Sequence, residues 1–163
     1  MIGSDFDMRT RLARLFRDAV VSGLCGMAAQ WGLRWARGAL GILPSFQPYE
    51  DLQRQLAEAL GASPPAALQA ALPLLSGALI WSSIFAWAYR WIPGRSALTK
   101  GFAVTGFAWL LTGFVLLPLV GKGVFASRVD AGAWPAVMML AMLSAYCLTL
   151  SVVYGRLRRG GAD

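Results

Sequence analysis

The 163 residues are 57% hydrophobic and only 14% charged, with a net charge of +7, whereas an ordinary soluble domain is about a quarter charged. A water-soluble core of this size cannot hide so much apolar surface, and no basic stripe interleaved with exposed aromatics is present to read nucleic acid. The chain has no histidine, which removes imidazole ligation of haem, chlorophyll or zinc and every Ser-His or Cys-His nucleophile pair.

The chain opens on a basic arm, Arg9, Arg11, Arg14 and Arg17, followed by an apolar run. A first membrane span is expected over about 19–37. The run from Ala19 to Leu33 alone is too short for a roughly 30 Å hydrocarbon core at about 1.5 Å per residue. Arg34 and Arg37 therefore belong to the same helix and snorkel outward. A cleavable leader is the competing reading, but the apolar stretch continues through Trp31. Asp18, where the helix enters the bilayer, reads as an N-terminal charge or as a partner of Arg14 or Arg17.

A polar stretch, PSFQPYEDLQRQLAEALG, follows at 44–61. Pro48 suits a first helical position, Glu50 and Asp51 suit the first turn, and Gly61 suits a stop. An amphipathic helix is expected over about 48–60, with Leu52, Leu56 and Leu60 on one face. Such a helix lies on the outer membrane surface, caps the bundle or offers a protein partner an apolar face. Arg34 and Arg37, one turn apart near it, would contact phospholipid phosphate or clamp an anion or a partner's carboxylate.

Three further spans are expected over about 73–92, 102–120 and 134–154, each close to the ~20 residues that a spanning helix needs. Pro73 opens the second and Pro118 lies near the end of the third, where neither costs much. Trp81 and Trp109 fall near mid-membrane, so their indole N–H groups should find partners inside the bundle. Cys25 and Cys147 sit in apolar blocks and read as packed thiols. Ten basic residues flank one side: Arg9, Arg11, Arg14, Arg17, Arg90, Arg95, Lys100, Arg156, Arg158 and Arg159. Only Arg34, Arg37, Arg54, Lys122 and Arg128 flank the other, so both termini are expected in the cytoplasm.

Helices in lipid associate through small or weakly polar faces. The first span offers Ser22, Gly26 and Ala29; the second Ser76, Ile80 and Ser83, beside Trp81; the third Thr105, Trp109 and Thr112, beside Gly106 and Gly113. The fourth offers Ala141, Ser144 and Ser151. The fold class expected is thus all-α, a single membrane-spanning four-helix bundle with an extra amphipathic helix in its first outer connection. A faint echo links Gly23–Trp31 and Gly101–Trp109, with Gly and Trp eight apart in each; a hairpin repeat would produce it, and so would chance in a chain rich in both.

The segments GALIWSSIFAWAYRWIPGRSALTKGF (77–102), WLLTGFVLLPLVGKGVF (109–125) and LPSFQPYEDLQ (43–53) resemble a family of small bacterial four-helix membrane proteins whose domain is of unknown function. The resemblance implies the fold and a bacterial inner membrane, and it brings no catalytic residues.

Function then follows from the residues that remain. The acids Asp18, Glu50, Asp51, Glu58 and Asp130 form no paired-carboxylate or metal motif at an inner edge, so no enzyme, cofactor or metal site is expected. No span has an ionisable residue at its centre, and Gln30, the deepest polar residue, suits an interhelical hydrogen bond. An accessory, scaffold or assembly subunit of a larger membrane complex is the expected role, with phospholipid and a protein partner or a second copy around it. The alternative is a transporter or binding protein for a neutral or lipophilic molecule passing Trp81 and Trp109.

Overall fold

The computed structural model describes residues 2–41, 71, 74–119, 121–128 and 132–160. The amphipathic helix expected over 48–60, with Leu52, Leu56 and Leu60, lies outside them, as do Pro73 and Asp130. The described residues form an all-α fold of four helices: α1 (Ile2–Ala39), α2 (Ser76–Ala88), α3 (Ala97–Leu119) and α4 (Trp134–Gly160).

The helix ends have local causes. The basic arm is not separate from the first apolar run, since its Arg, Leu and Ala residues are good helix formers; α1 stops only where Gly41 takes a φ of +66°. The second helix ends at Ala88, short of the expected Ile92, in a turn over Tyr89–Trp91. The third begins five residues earlier than expected, because Ser96 and Thr99 form a reciprocal capping box: each side chain accepts a hydrogen bond from the other's main-chain amide, at 3.1 and 3.0 Å. Pro135 sits in the first turn of α4, where its missing N–H costs nothing.

Adjacent helices run antiparallel, which places both described ends of the chain at one end of the fold, called here the terminal end. Gly23 of α1 meets Ala78 and Ser82 of α2, Gly26 meets Tyr146 of α4, and Gly101 of α3 meets Leu148 and Ser151 of α4. Helix α4 packs along both α1 and α3, and α2 leans mainly on α1. The ring of the expected bundle is therefore not closed: α2 and α3 touch little along their lengths. The echo between Gly23 and Gly101 acquires a physical meaning, because each lies against a fully buried serine on the returning helix, Ser82 or Ser151.

Two stretches depart from α-helical winding. Ser76–Trp81 in α2 and Thr112–Leu116 in α3 are wound as π-helix, each adding a residue to a turn. Two apolar clusters hold the helices together. One joins Met27, Phe85, Tyr146, Cys147, Leu150 and Tyr154; the other, toward the far end, joins Leu117, Ala126, Met139 and Leu143.

Candidate functional site

Most of the interior hydroxyls turn back into the backbone of their own helix. Ser22 Oγ donates to the carbonyl of Asp18 at 2.6 Å, Thr105 Oγ1 to Gly101 at 2.9 Å, Thr112 Oγ1 to Ala108 at 2.7 Å, and Ser82 Oγ to Ala78. Three hydroxyls among the described residues instead reach a neighbouring helix: Tyr146 Oη donates to the Gly77 carbonyl at 2.5 Å, Ser151 Oγ to the Ala97 carbonyl at 2.6 Å and Tyr154 Oη to the Ala86 carbonyl at 3.5 Å. All three tie α4 to a neighbour.

Ser22, Gly26, Thr105 and Gly113 are all buried. The expected face of α2 is displaced. Ile80 is 58% exposed and Trp81 46% exposed, while Gly77, Ala78, Ser82 and Phe85 are the buried positions. Ala78, Ser82 and Phe85 repeat the expected i, i+4, i+7 spacing two residues further along, so the period holds and only its phase differs; Gly23 against Ala78 and Ser82, and Tyr146 on the Gly77 carbonyl, mark the face that turns inward. Ser83 is half-buried, and its Oγ is enclosed without a hydrogen-bond partner. On α4, Ala141 is exposed and Ser144 half-buried; the packed face instead uses the bulkier Met139, Leu143, Tyr146, Cys147 and Leu150. Gly26 of α1 makes room for Tyr146 among them, while Gly101 of α3 faces Leu148 and Ser151.

Trp109 finds its partner within the fold, donating Nε1–H to the Ala136 carbonyl at 3.0 Å. Its ring lies 4.5 Å from that of Phe125, which also meets Phe114 edge-on at 5.0 Å. Phe125 reaches this place from the turn after α3, where Phe125 and Ala126 adopt positive φ of 49° and 62°. The ring fills the space beside Gly113, inside the π-helical turn.

Arg34 and Arg37 do not share an outward face: Arg34 is exposed and Arg37 is buried at 8% exposure. The bidentate pair expected of them is thus divided between the surface and the interior. Asp18 accepts from Arg17 Nε and Nη2 at 3.0 and 2.9 Å, one of the two partners expected for it. Cys25 and Cys147 are free thiols. Among the described residues, no three His, Cys, Asp or Glu side chains gather as metal ligands would.

At the terminal end the turn between α2 and α3 and the last turns of α4 enclose an open recess of about 530 Å³, lined by Tyr89, Arg95, Ser96, Ala97, Lys100, Gly155, Arg158 and Arg159. Four of these eight are cations and none is an acid. Lys100 Nζ donates to the Tyr89 and Ile92 carbonyls at 2.5 and 3.0 Å and lies 4.4 Å from the centre of the Tyr89 ring. Beneath the recess Phe85, Tyr89 and Tyr154 stack edge to face, with centroids 5.0 to 5.8 Å apart. Sequence reasoning used these cations only to orient the chain. The available signal was Ser96-Ala97-Leu98-Thr99, a capping pattern that ends the turn within reach of the Arg158-Arg159 tail.

The profile of a family of unknown function, DUF6789, matches residues 13–161. The chain belongs to that family. In this member of DUF6789 the match takes in all of α2, α3 and α4 and most of α1, and so both the aromatic packing around Phe125 and the basic recess. No curated protein and no solved structure matches the chain.

Proposed function

We propose that this DUF6789 protein is integral to the bacterial inner membrane, crossing it four times, with α1, α3, α4 and the expected second span over 73–92 of which α2 is the described helical part, and leaving both described ends in the cytoplasm. Helices α3 and α4 are long and apolar enough to span a bilayer, yet only 22% and 33% of their apolar windows are buried by the rest of the protein. Large side chains such as Phe107 and Trp87, 66% and 72% exposed, point outward. Left in water, such faces would cost about 25 cal/mol per Å²; in hydrocarbon they cost nothing. The cations of the recess lie at the terminal end, where the positive-inside rule puts the cytoplasm. Single cysteines at positions 95 and 122 are therefore expected to react with impermeant maleimide from opposite sides of inverted and right-side-out vesicles. Labelling of both from one side would overturn the four-span reading.

Within that membrane the protein acts as an accessory, scaffold or assembly subunit of a larger complex. The observation that supports this role is the direction of the interior hydroxyls. Ser22, Ser82, Thr105, Thr112, Ser151 and Tyr146 all give their hydrogens to main-chain carbonyls. Ser151 and Tyr146 fasten α4 to its neighbours, the other four close within their own helices, and none of the six turns its hydrogen toward a path for a solute. Trp81 and Trp109 share no passage either, since one faces outward and the other is held by Ala136 and Phe125.

The experiment is purification in mild detergent with quantitative mass spectrometry. A stoichiometric membrane-protein partner is expected, and Leu52→Glu with Leu56→Glu is expected to lower its yield by about tenfold, the effect of losing roughly 1.4 kcal/mol of apolar contact, while thermal unfolding stays unchanged. A monodisperse protein carrying one bound small molecule and no partner would favour a carrier instead.

A further inference from the structure

We infer that the basic recess at the terminal end is a binding site for a phosphate group, carried either by an anionic lipid headgroup or by a soluble phosphorylated molecule. Three features of different origin converge there. The first is charge: Arg95, Lys100, Arg158 and Arg159 surround one concavity whose described lining contains no carboxylate. Like charges gathered this closely repel one another, and an anion between them removes that cost.

The second is the opening of α3. The capping box engages the amides of Ser96 and Thr99, whereas the amides of Ala97 and Leu98, as first-turn groups, have no acceptor within the helix. Their dipoles add a partial positive charge on the side where Ser96 and Ala97 line the recess.

The third is rigidity. Ser151 holds the Ala97 carbonyl, Lys100 is fixed on two carbonyls of the preceding turn, and the Arg158 guanidinium lies 5.5 Å from the Tyr89 ring centre. Gly155 allows the close approach, since a Cβ there would meet Ala97 at 3.0 Å and the Tyr89 hydroxyl at 3.2 Å. A phosphate held here would meet the guanidinium groups that line the recess, Arg95 and Arg159 among them, and the fixed Lys100 ammonium, a set of donors that suits a phosphomonoester or phosphodiester. The recess rests on this geometry alone. Only its opening toward the cytoplasm depends on the orientation proposed above.

The test uses the full chain in a neutral detergent, where topology plays no part. One arm measures lipid retained after exchange against mixed phosphatidylglycerol and phosphatidylcholine, by native mass spectrometry. The other titrates inorganic phosphate and glycerol 3-phosphate by calorimetry. Selective retention of phosphatidylglycerol identifies a headgroup site, and saturable binding of the soluble probes identifies a soluble ligand; either supports the proposal. Arg95→Gln with Arg159→Gln is expected to weaken the effect by about tenfold or more, as expected for loss of charge-assisted hydrogen bonds. Arg14→Gln with Arg156→Gln removes equal charge outside the recess and is expected to change it by less than about twofold. Absence of binding in both arms, or equal loss in the two double variants, would overturn the proposal. Neither result bears on whether the helices cross a membrane, which the maleimide experiment decides separately.

Discussion

Gly23→Leu is expected to lower the unfolding midpoint by about 10 °C, while Gly32→Leu leaves it nearly unchanged. A Cβ at position 23 would lie 2.8 Å from the Ser82 Cβ and 2.9 Å from both the Cα and the carbonyl oxygen of Ala78. Two of those atoms are backbone, and they sit in the π-helical turn that Tyr146 and Ser82 fasten by hydrogen bonds. Nothing there can rotate aside, so α1 and α2 must separate. Forcing extra methylenes into a packed site costs about 1–3 kcal/mol even where side chains can yield, and the upper end applies when they cannot. In a chain of this length that corresponds to a fall in midpoint of about 10 °C. Among the described residues, a Cβ at position 32 would meet nothing beyond its own helix within 4 Å, and leucine there should shift stability by no more than about 0.5 kcal/mol. Circular dichroism melts of the two variants in one detergent provide the comparison; equal midpoints would show that α1 and α2 are not in contact at Gly23.

The second large effect is expected at Phe125, where two opposing contributions can be separated. Its ring joins Trp109 and Phe114 beside Gly113, and truncation to alanine should cost about 3 kcal/mol, the low end for a phenylalanine because the site is only half-buried. Its backbone, at φ 49° and ψ 33°, is left-handed, which costs a residue with a Cβ about 1–2 kcal/mol. Phe125→Gly loses the same ring but relieves that strain. The glycine variant should therefore be more stable than the alanine variant by about 1 kcal/mol, although glycine is normally the more destabilising choice. Unfolding followed by tryptophan fluorescence, to which Trp109 contributes, reads both. An alanine variant at least as stable as the glycine one would mean that the turn does not hold Phe125 in this conformation.

These two sites also mark what could and could not be read from the sequence. The helices and the small-residue contacts of α1 and α3 follow from composition and spacing, and Ser22, Gly26, Thr105 and Gly113 all lie in the packed interior. The α2 face does not follow, because two stripes of equal i, i+4, i+7 spacing lie two residues apart and spacing alone does not choose between them. The choice rests on contacts made from elsewhere in the chain, Gly23 against Ala78 and Ser82 and Tyr146 on the Gly77 carbonyl. The turn after α3 was equally opaque. Phe125 and Ala126 are poor residues for positive φ, and only the aromatic pocket between Trp109 and Phe114 explains their conformation. The recess needed distances, since Arg95 and Arg159 are far apart in sequence and line one recess only because α4 continues past Tyr154 to Gly160.

The length of α1 has a mechanical side. In an antiparallel pair where Gly26 faces Tyr146, residue 12 comes level with Gly160, and the preceding turns of the 38-residue helix run on past the last turn of its neighbour by about 15 Å. The segment is continuous with the rod below it, so a push, a tilt or a grip applied at its tip reaches the Gly23 contact without passing through any hinge. In a small protein this gives leverage, with a stiff handle outside the bundle whose other end is wedged between two helices.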